Sequence, residues 1–380
     1  MARPRQLALR AGTFGRPAVC NLPMMRTRPL LLAALACLLT MAAAPAVANA
    51  AKVRKAFWAP PEQFPTLQEL GVDIVEASVD WSQVAPTRPA DATNPNDPAY
   101  HWPKLVEGDV PQAPGFGMAP MLQIGETPEW ASGNPDPRFP PMSTSDFTDF
   151  LIAVSRRYPS VRYWMIWSEA CSHNRFMPIT PQAFGTPVTP DARFQPRPYA
   201  QLLDASYVTL KGLNRRNVVI GGSTWAVCDI RPMDWARYLK MPNGRRPRMD
   251  MWGHNPYVVY PPRKVPEKWK VSDIYRLSEL QDAIDHYFGK PHHKKIRLFL
   301  SEFEMPTGPD QDIPVHTSEA GQARFVRQAF QQARKVGAYA LGWLYLQDTP
   351  VPAGGTEGRF GGLLRPDGTR KPAFDVFQRE

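Results

Sequence analysis

Eight strand-like runs, most followed by a turn and a helix-like stretch, limit the folds open to this chain more than any other feature. The runs are Lys55 to Pro60, Gly71 to Trp81, Ala119 to Trp130, Val161 to Glu169, Asn217 to Val227, Met249 to Tyr257, Lys295 to Phe303 and Ala338 to Gln347. Helical spacing of apolar residues marks Phe64 to Leu70, Thr144 to Tyr158, Tyr199 to Leu213, Leu277 to Phe288 and Ser318 to Val336. In Thr144 to Tyr158, for example, Phe147, Phe150, Leu151 and Val154 fall on one face, and Ser143, Thr144 or Ser145 can cap the start. Several runs are apolar almost throughout, as expected of parallel strands covered on both faces. Eight strand–helix units predict a (β/α)8 TIM barrel, with a doubly wound open sheet as the alternative. No G-x-G-x-x-G follows the first run, so a dinucleotide site has no support.

The 380-residue chain divides into a leader and one domain. Met25 to Arg28 is a basic start, Leu30 to Ala44 is apolar, and Ala48-Asn49-Ala50 matches a small-residue cleavage site. The expectation is a signal peptide over residues 1–50, translation starting at Met1 or at Met24 or Met25, and a catalytic domain over residues 51–380. That predicts export, to the periplasm or the medium, with no membrane association after cleavage. The leader carries six arginines and no acid, so the net charge of +10 drops to about +4 without it. This is too mild for a nucleic-acid binder. Cys171 and Cys228 are the two cysteines outside the leader; an oxidising compartment and places just beyond neighbouring strands predict a disulfide between them. The run His292-His293-Lys294-Lys295 reads as a solvated loop, without the ligand spacing of a metal site. No metal and no cofactor is expected, and the chain is expected to act as a monomer.

In such a barrel the chemistry sits at the C-terminal ends of the strands. Two carboxylates end there, Glu169 after the fourth run and Glu302 after the seventh. Trp81, Trp130, Trp225, Trp343, His254 and Tyr257 also fall at strand ends. Paired carboxylates among aromatic rings suit glycosidic bond cleavage, in which one protonates the leaving oxygen and the other attacks or activates water. Glu304 lies two residues from Glu302, and strand alternation alone leaves it as a rival.

These residues carry a resemblance. "YWMIWSEA" is similar to the strand-four motif of glycoside hydrolase clan A, which usually ends W-N-E. "RLFLSEFEMPT" resembles its strand-seven motif, usually T-E-x-G. "GETPEWA" resembles a "TPxWA" run of family 39 and its relatives, and "GLLRPDGTRKPAFDVF" the clan's closing segment. The likeness spans about Phe57 to Phe377. It implies a retaining glycosidase with a carbohydrate substrate, Glu169 as acid/base and Glu302 as nucleophile, with carboxyls ~5–5.5 Å apart. It implies substrate-binding roles for Ser168, His254 and Tyr257, the tyrosine hydrogen-bonding the nucleophile. Trp343 is a candidate sugar platform and Trp81, Trp130 and Trp225 are candidates to line the groove, with core packing the alternative for each; His173 reads as a solvated loop residue, with a place on the rim as the alternative. Two positions depart from the pattern: Ser168 stands where the clan has Asn, and Glu76 where it often has an Arg that supports the nucleophile. A non-catalytic glycan-binding barrel and a transglycosylase using the same carboxylates stay open as alternatives.

Overall fold

The computed structural model describes residues 52–182, 186–261, 266–289, 295–352 and 358–380. The leader and the run His292 to Lys294 lie outside them. The eight strands are β1 (Arg54–Trp58), β2 (Ile74–Asp80), β3 (Ala119–Gly125), β4 (Tyr163–Ile166), β5 (Val218–Trp225), β6 (Met251–Asn255), β7 (Arg297–Leu300) and β8 (Ala340–Trp343). All neighbours are parallel, and β8 pairs with β1 to close the barrel. This is the predicted (β/α)8 barrel; the open-sheet alternative is excluded by that closing pair.

Each strand is followed by a helix: α1 (Phe64–Glu69), α2 (Lys104–Gln112), α3 (Thr144–Arg157), α4 (Arg197–Leu213), α5 (Pro232–Tyr238), α6 (Leu277–Phe288), α7 (Glu319–Val336) and α8 (Pro372–Arg379). The local chemistry explains their limits. Ser143 caps α3 by accepting from the Ser145 amide, and Ser318 caps α7 by accepting from the Gly321 amide. Gly337 ends α7 at a φ of 70°, a conformation that costs glycine little. The helices α2, α5 and α8 carry weak sequence signals. The first contains Pro111, and the other two are short and begin on proline.

Strand alternation sorts side chains into two cores. Ala56, Ile74, Met121, Tyr163, Met165, Ile220, Met251, Phe299 and Ala340 fill the barrel interior. Their neighbours in sequence point outward into the larger core beneath the helices, where Phe57 meets Phe377 edge-on. Small Ala56 and Ala340 leave room for the rings of Tyr163 and Phe299, so the lumen is packed solid below the strand ends.

The segment after β8 is pinned from inside. Lys371 is buried and donates to Asp348 Oδ1 at 2.8 Å, to Thr307 and to the Phe360 carbonyl. Asp348 also accepts from the Gly362 amide at 2.9 Å. A buried cation and anion with their remaining bonds satisfied hold that segment in one place across the top of β7 and β8.

Candidate active site

The backbone leaves ordinary conformations where the strands end. Trp167 and Glu169 both have positive φ, at 66° and 44°, as do Glu126 after β3 and Ser223 in β5. Such conformations cost non-glycine residues of order 1–3 kcal/mol each and persist only where the surroundings enforce them. The enforcement is visible. The Trp167 amide donates to the Ile124 carbonyl at 2.8 Å, its indole N–H to the Arg175 carbonyl at 2.9 Å, and its own carbonyl accepts from Ser223 Oγ at 2.7 Å. Ser223 reaches that carbonyl because β5 shifts register between Gly221 and Thr224. Gly222 makes the shift possible: it sits at φ 79°, and a Cβ there would lie 2.4 Å from the Trp252 ring. A disulfide between Cys171 and Cys228 ties the loop after β4 to the loop after β5, with Cα atoms 5.4 Å apart. The strained strand-four end is thus fastened on three sides.

What it carries is Glu169. A cavity of about 530 Å³ opens at the C-terminal end of the barrel, lined by Glu169, Glu302, Ser168, Arg175, Trp58 and Tyr345 among others. Asn255, at the end of β6, donates to Glu169 Oε1 at 3.0 Å and also stabilises ionised Glu302 by hydrogen bonding. The Tyr257 hydroxyl donates to Glu302 Oε2 at 3.2 Å. Arg175 Nε lies 3.5 Å from Glu169 Oε2. Both carboxyls line one cleft, each with a side-chain donor upon it.

Burial raises the pKa of both. Burial is the main cause for Glu169, opposed by Arg175 and Asn255. Glu302 is pushed up to about 7, first by burial and then by the Glu169 charge, against the pull of the Tyr257 hydrogen bond. Each carboxyl therefore keeps its proton to higher pH than an exposed glutamate would.

Glu304 occupies a different setting. It is fully buried, neither carboxyl oxygen has a hydrogen-bond partner among the described residues, and a Cβ on Gly361 would sit 1.5 Å from its Oε2. It lies under the closing segment and does not line the cleft. Burial, and the charges of Asp310, Asp312 and Asp348, push its pKa up to about 9. The fold therefore holds the neutral acid. Stability that Glu304 contributes below its unfolded value of 4.5 is lost as pH rises toward 9. Glu304→Gln cannot ionise, so its melting temperature should exceed the wild type's by a margin that grows between about pH 5 and about pH 9, reaching roughly 5 °C or more. Thermal melts across that range check this; a margin that stays flat contradicts it.

Other sequence expectations need correction. Trp343 is no sugar platform: it is fully buried, pointing outward from β8 against Phe303 and Phe377, with its indole N–H on the Gly361 carbonyl at 3.0 Å. Alternation decides this, because Ala340 and Gly342 take the inward positions. Trp81 is buried among Trp130, Phe147 and Phe150. Trp130 is half-buried behind the cleft, its N–H on the Ala85 carbonyl and its ring under Arg88. His254 is also internal. Its Nε2 donates to the Ser272 carbonyl at 2.6 Å, so Nδ1 accepts from the Thr224 hydroxyl at 2.9 Å, and burial lowers its pKa to about 4. With both nitrogens occupied it has none for a sugar. Trp225, in register with Asn255, is half-buried with its indole N–H on Ser172 Oγ at 2.8 Å and is not among the residues that line the cleft. His173 pairs with Asp229 on the rim at 2.8 Å.

The aromatic walls are instead Trp58, at the end of β1, and Tyr345, beyond β8. The indole N–H of Trp58 is buried without a protein partner. Asn255 and Tyr345 fall at the ends of the sixth and eighth strand-like runs and Trp58 within the first, but the sequence assigns them no individual role; Gln123 lies within β3, and Arg175 comes from a loop with no pattern. A larger cavity of about 650 Å³ opens at the opposite end of the barrel, among Lys211, Arg215, Arg216, Arg246 and Arg248. It has no facing carboxyl pair, and the strained strand ends are not there.

No protein-family model matches the chain, and no curated protein matches it in sequence. Solved structures do match in fold. A family 39 glycoside hydrolase from the gut symbiont Bacteroides cellulosilyticus superposes with a TM-score of 0.58 at 16% identity, over 86% of this chain and 63% of that one. A GH39 beta-xylosidase from Caulobacter crescentus gives 0.56 at 16% identity, over 86% and 70%. A fungal beta-1,4-galactanase gives 0.52 at 14%, over 87% and 95%. The fold is thus a (β/α)8 barrel of the kind these glycoside hydrolases have. The chain spans about 63% of the length of the Bacteroides enzyme.

Proposed function

We propose that the chain is a glycosidase that cleaves a poly- or oligosaccharide with retention of configuration, Glu169 as acid/base and Glu302 as nucleophile. The observation that carries this is the placing of two buried carboxyls, at the ends of β4 and β7, in one cleft, with Asn255 donating to Glu169 and Tyr257 to Glu302. The steps follow from the geometry. Glu169 gives its proton to the glycosidic oxygen while Glu302 attacks the anomeric carbon. Glu169 then deprotonates a water that hydrolyses the glycosyl ester. Tyr257 and Asn255 hold Glu302 in line and stabilise its charge as the ester breaks. Trp58 and Tyr345 supply ring faces for sugar C–H groups. Export through the leader belongs to the same reading and rests on the sequence; the disulfide suits an oxidising compartment.

The test is turnover on a glycan panel that begins with xylosides and galactans, the substrates named for its fold neighbours. Release of new reducing ends by the wild type, absent in Glu169→Gln and Glu302→Gln, is the expected result. Binding without turnover, unchanged in both variants, would favour a glycan-binding barrel; sugar in place of water as acceptor would make it a transglycosylase.

A further inference from the structure

Below the carboxyl pair the barrel holds a third carboxyl. Glu76 points inward from β2, is buried, and lines the floor of the cleft with Glu169 and Glu302. Its Oε2 accepts from Ser301 Oγ at 2.6 Å, and Ser301 immediately precedes Glu302. Its Oε1 is buried with no hydrogen-bond partner among the described residues. The fold makes room for it: Gly342 faces it from β8, where a Cβ would lie 2.9 Å from Oε1 and 1.9 Å from the Ser301 carbonyl. Any side chain at 342 would displace either the carboxyl or the strand-seven end.

The titratable and charged groups around Glu76 are Glu302, Glu169, Tyr257, Arg175 and Tyr345. Arg175 is engaged with Glu169, and among the described residues no Lys or Arg forms an ion pair with Glu76. A carboxylate buried without a countercharge, beside two others, is costly unless it keeps its proton. The related barrels' usual arginine at this position would support the nucleophile by charge. A neutral acid supports it differently, by fixing geometry without adding a field.

We propose that Glu76 is a proton-bearing positioning residue: through Ser301 Oγ on Oε2 it locks the end of β7 that carries Glu302, and its protonated Oε1 keeps the cleft floor uncharged. The direction of its pKa, raised well above the usual value by burial and by the Glu302 charge, agrees. This inference rests on the reading of Glu302 as nucleophile, so its test has an arm that does not depend on turnover.

That arm is carbon-13 NMR of carboxyl-labelled glutamates in the whole domain, comparing wild type with Glu76→Gln. The expected spectrum has one carboxyl, lost in Glu76→Gln, that stays in the neutral form through neutral pH. The Glu302 midpoint should move by less than about 0.3 unit in Glu76→Gln, because one neutral group replaces another. A fall of about one unit or more would mean that an ionised Glu76 had been raising it, and would overturn the proposal. Should Glu76→Gln fold poorly, Ser301→Ala serves: it removes the Oε2 bond, and Glu76 must then titrate higher still; a Glu76 already ionised at neutral pH overturns the proposal. The second arm is kinetic, on whichever aryl glycoside the wild type cleaves. Glu76→Gln should keep kcat within about 3-fold with an unchanged pH profile, whereas Glu76→Leu, which frees Ser301, should lower kcat by ~10-fold or more with a smaller change in KM. A Glu76→Leu enzyme with normal kcat overturns positioning. If no glycoside is cleaved at all, the glycosidase reading fails while the NMR arm still decides the state of Glu76.

Discussion

Glu302→Gln is expected to lower turnover of every glycoside by ~10⁴-fold or more, because the other two carboxyls of the cleft are committed elsewhere, Glu169 as the acid/base and Glu76 to Ser301 Oγ on the floor. Asn255, Tyr257 and Ser168 are not carboxylates, and Glu304 is sealed under the closing segment. The variant should fold normally and melt slightly above the wild type at alkaline pH. The wild type carries a carboxyl whose folded pKa is about 7, so it loses stability as pH rises through that value, and a glutamine does not. A small external nucleophile such as azide should restore part of the turnover, yielding a glycosyl azide of inverted configuration. Kinetics on an activated aryl glycoside with and without azide checks this. A variant that keeps more than about a tenth of wild-type turnover would remove Glu302 from the nucleophile's role.

Glu169→Gln should split its effect by leaving group. A positioned general acid contributes typically 10²–10⁴-fold, so substrates with sugar leaving groups should lose about that much in kcat/KM. Leaving groups that depart without protonation should keep a near-normal first step and accumulate glycosyl enzyme, since the base for the second step is also gone. The pH profile gives a second readout. Wild-type activity should fall on the alkaline side as Glu169, its pKa raised by burial, gives up its proton. In Glu169→Gln that alkaline limb should vanish, and the acidic limb should move lower. The remaining carboxyl no longer feels the Glu169 charge, which is the second cause of its raised pKa after burial. An alkaline limb that persists in the variant would assign the acid elsewhere.

How far the site was readable in advance depended on how each residue gets there. Glu169 and Glu302 end apolar runs, and a barrel delivers strand ends to one face, so strand order alone brings them together. Cys171 and Cys228 follow the same logic one loop further out. Trp343 fails for a reason that periodicity contains but run length hides: in an all-apolar strand both faces look alike, and only the inward places of Ala340 and Gly342 reveal that the indole points to the helices. Arg175 reaches Glu169 from an irregular loop whose course depends on the Trp167 indole bond and on the disulfide. No sequence spacing encodes that. Glu76 stood out as a reversed charge; its packing against Ser301 and Gly342 exists only once β2, β7 and β8 share one lumen. Ser168 does line the cleft, one residue before Glu169, where a short hydroxyl takes up less of the cleft than an amide would.

The most direct measurement is proton NMR of the first anomer released when the wild type cleaves a substrate found in the panel. A product that appears with the substrate's anomeric configuration, and only later mutarotates, is the result predicted by two carboxyls acting in turn on one carbon. A first product of opposite configuration would contradict the account, since inversion requires a water acting directly on the anomeric carbon and no glycosyl ester on Glu302.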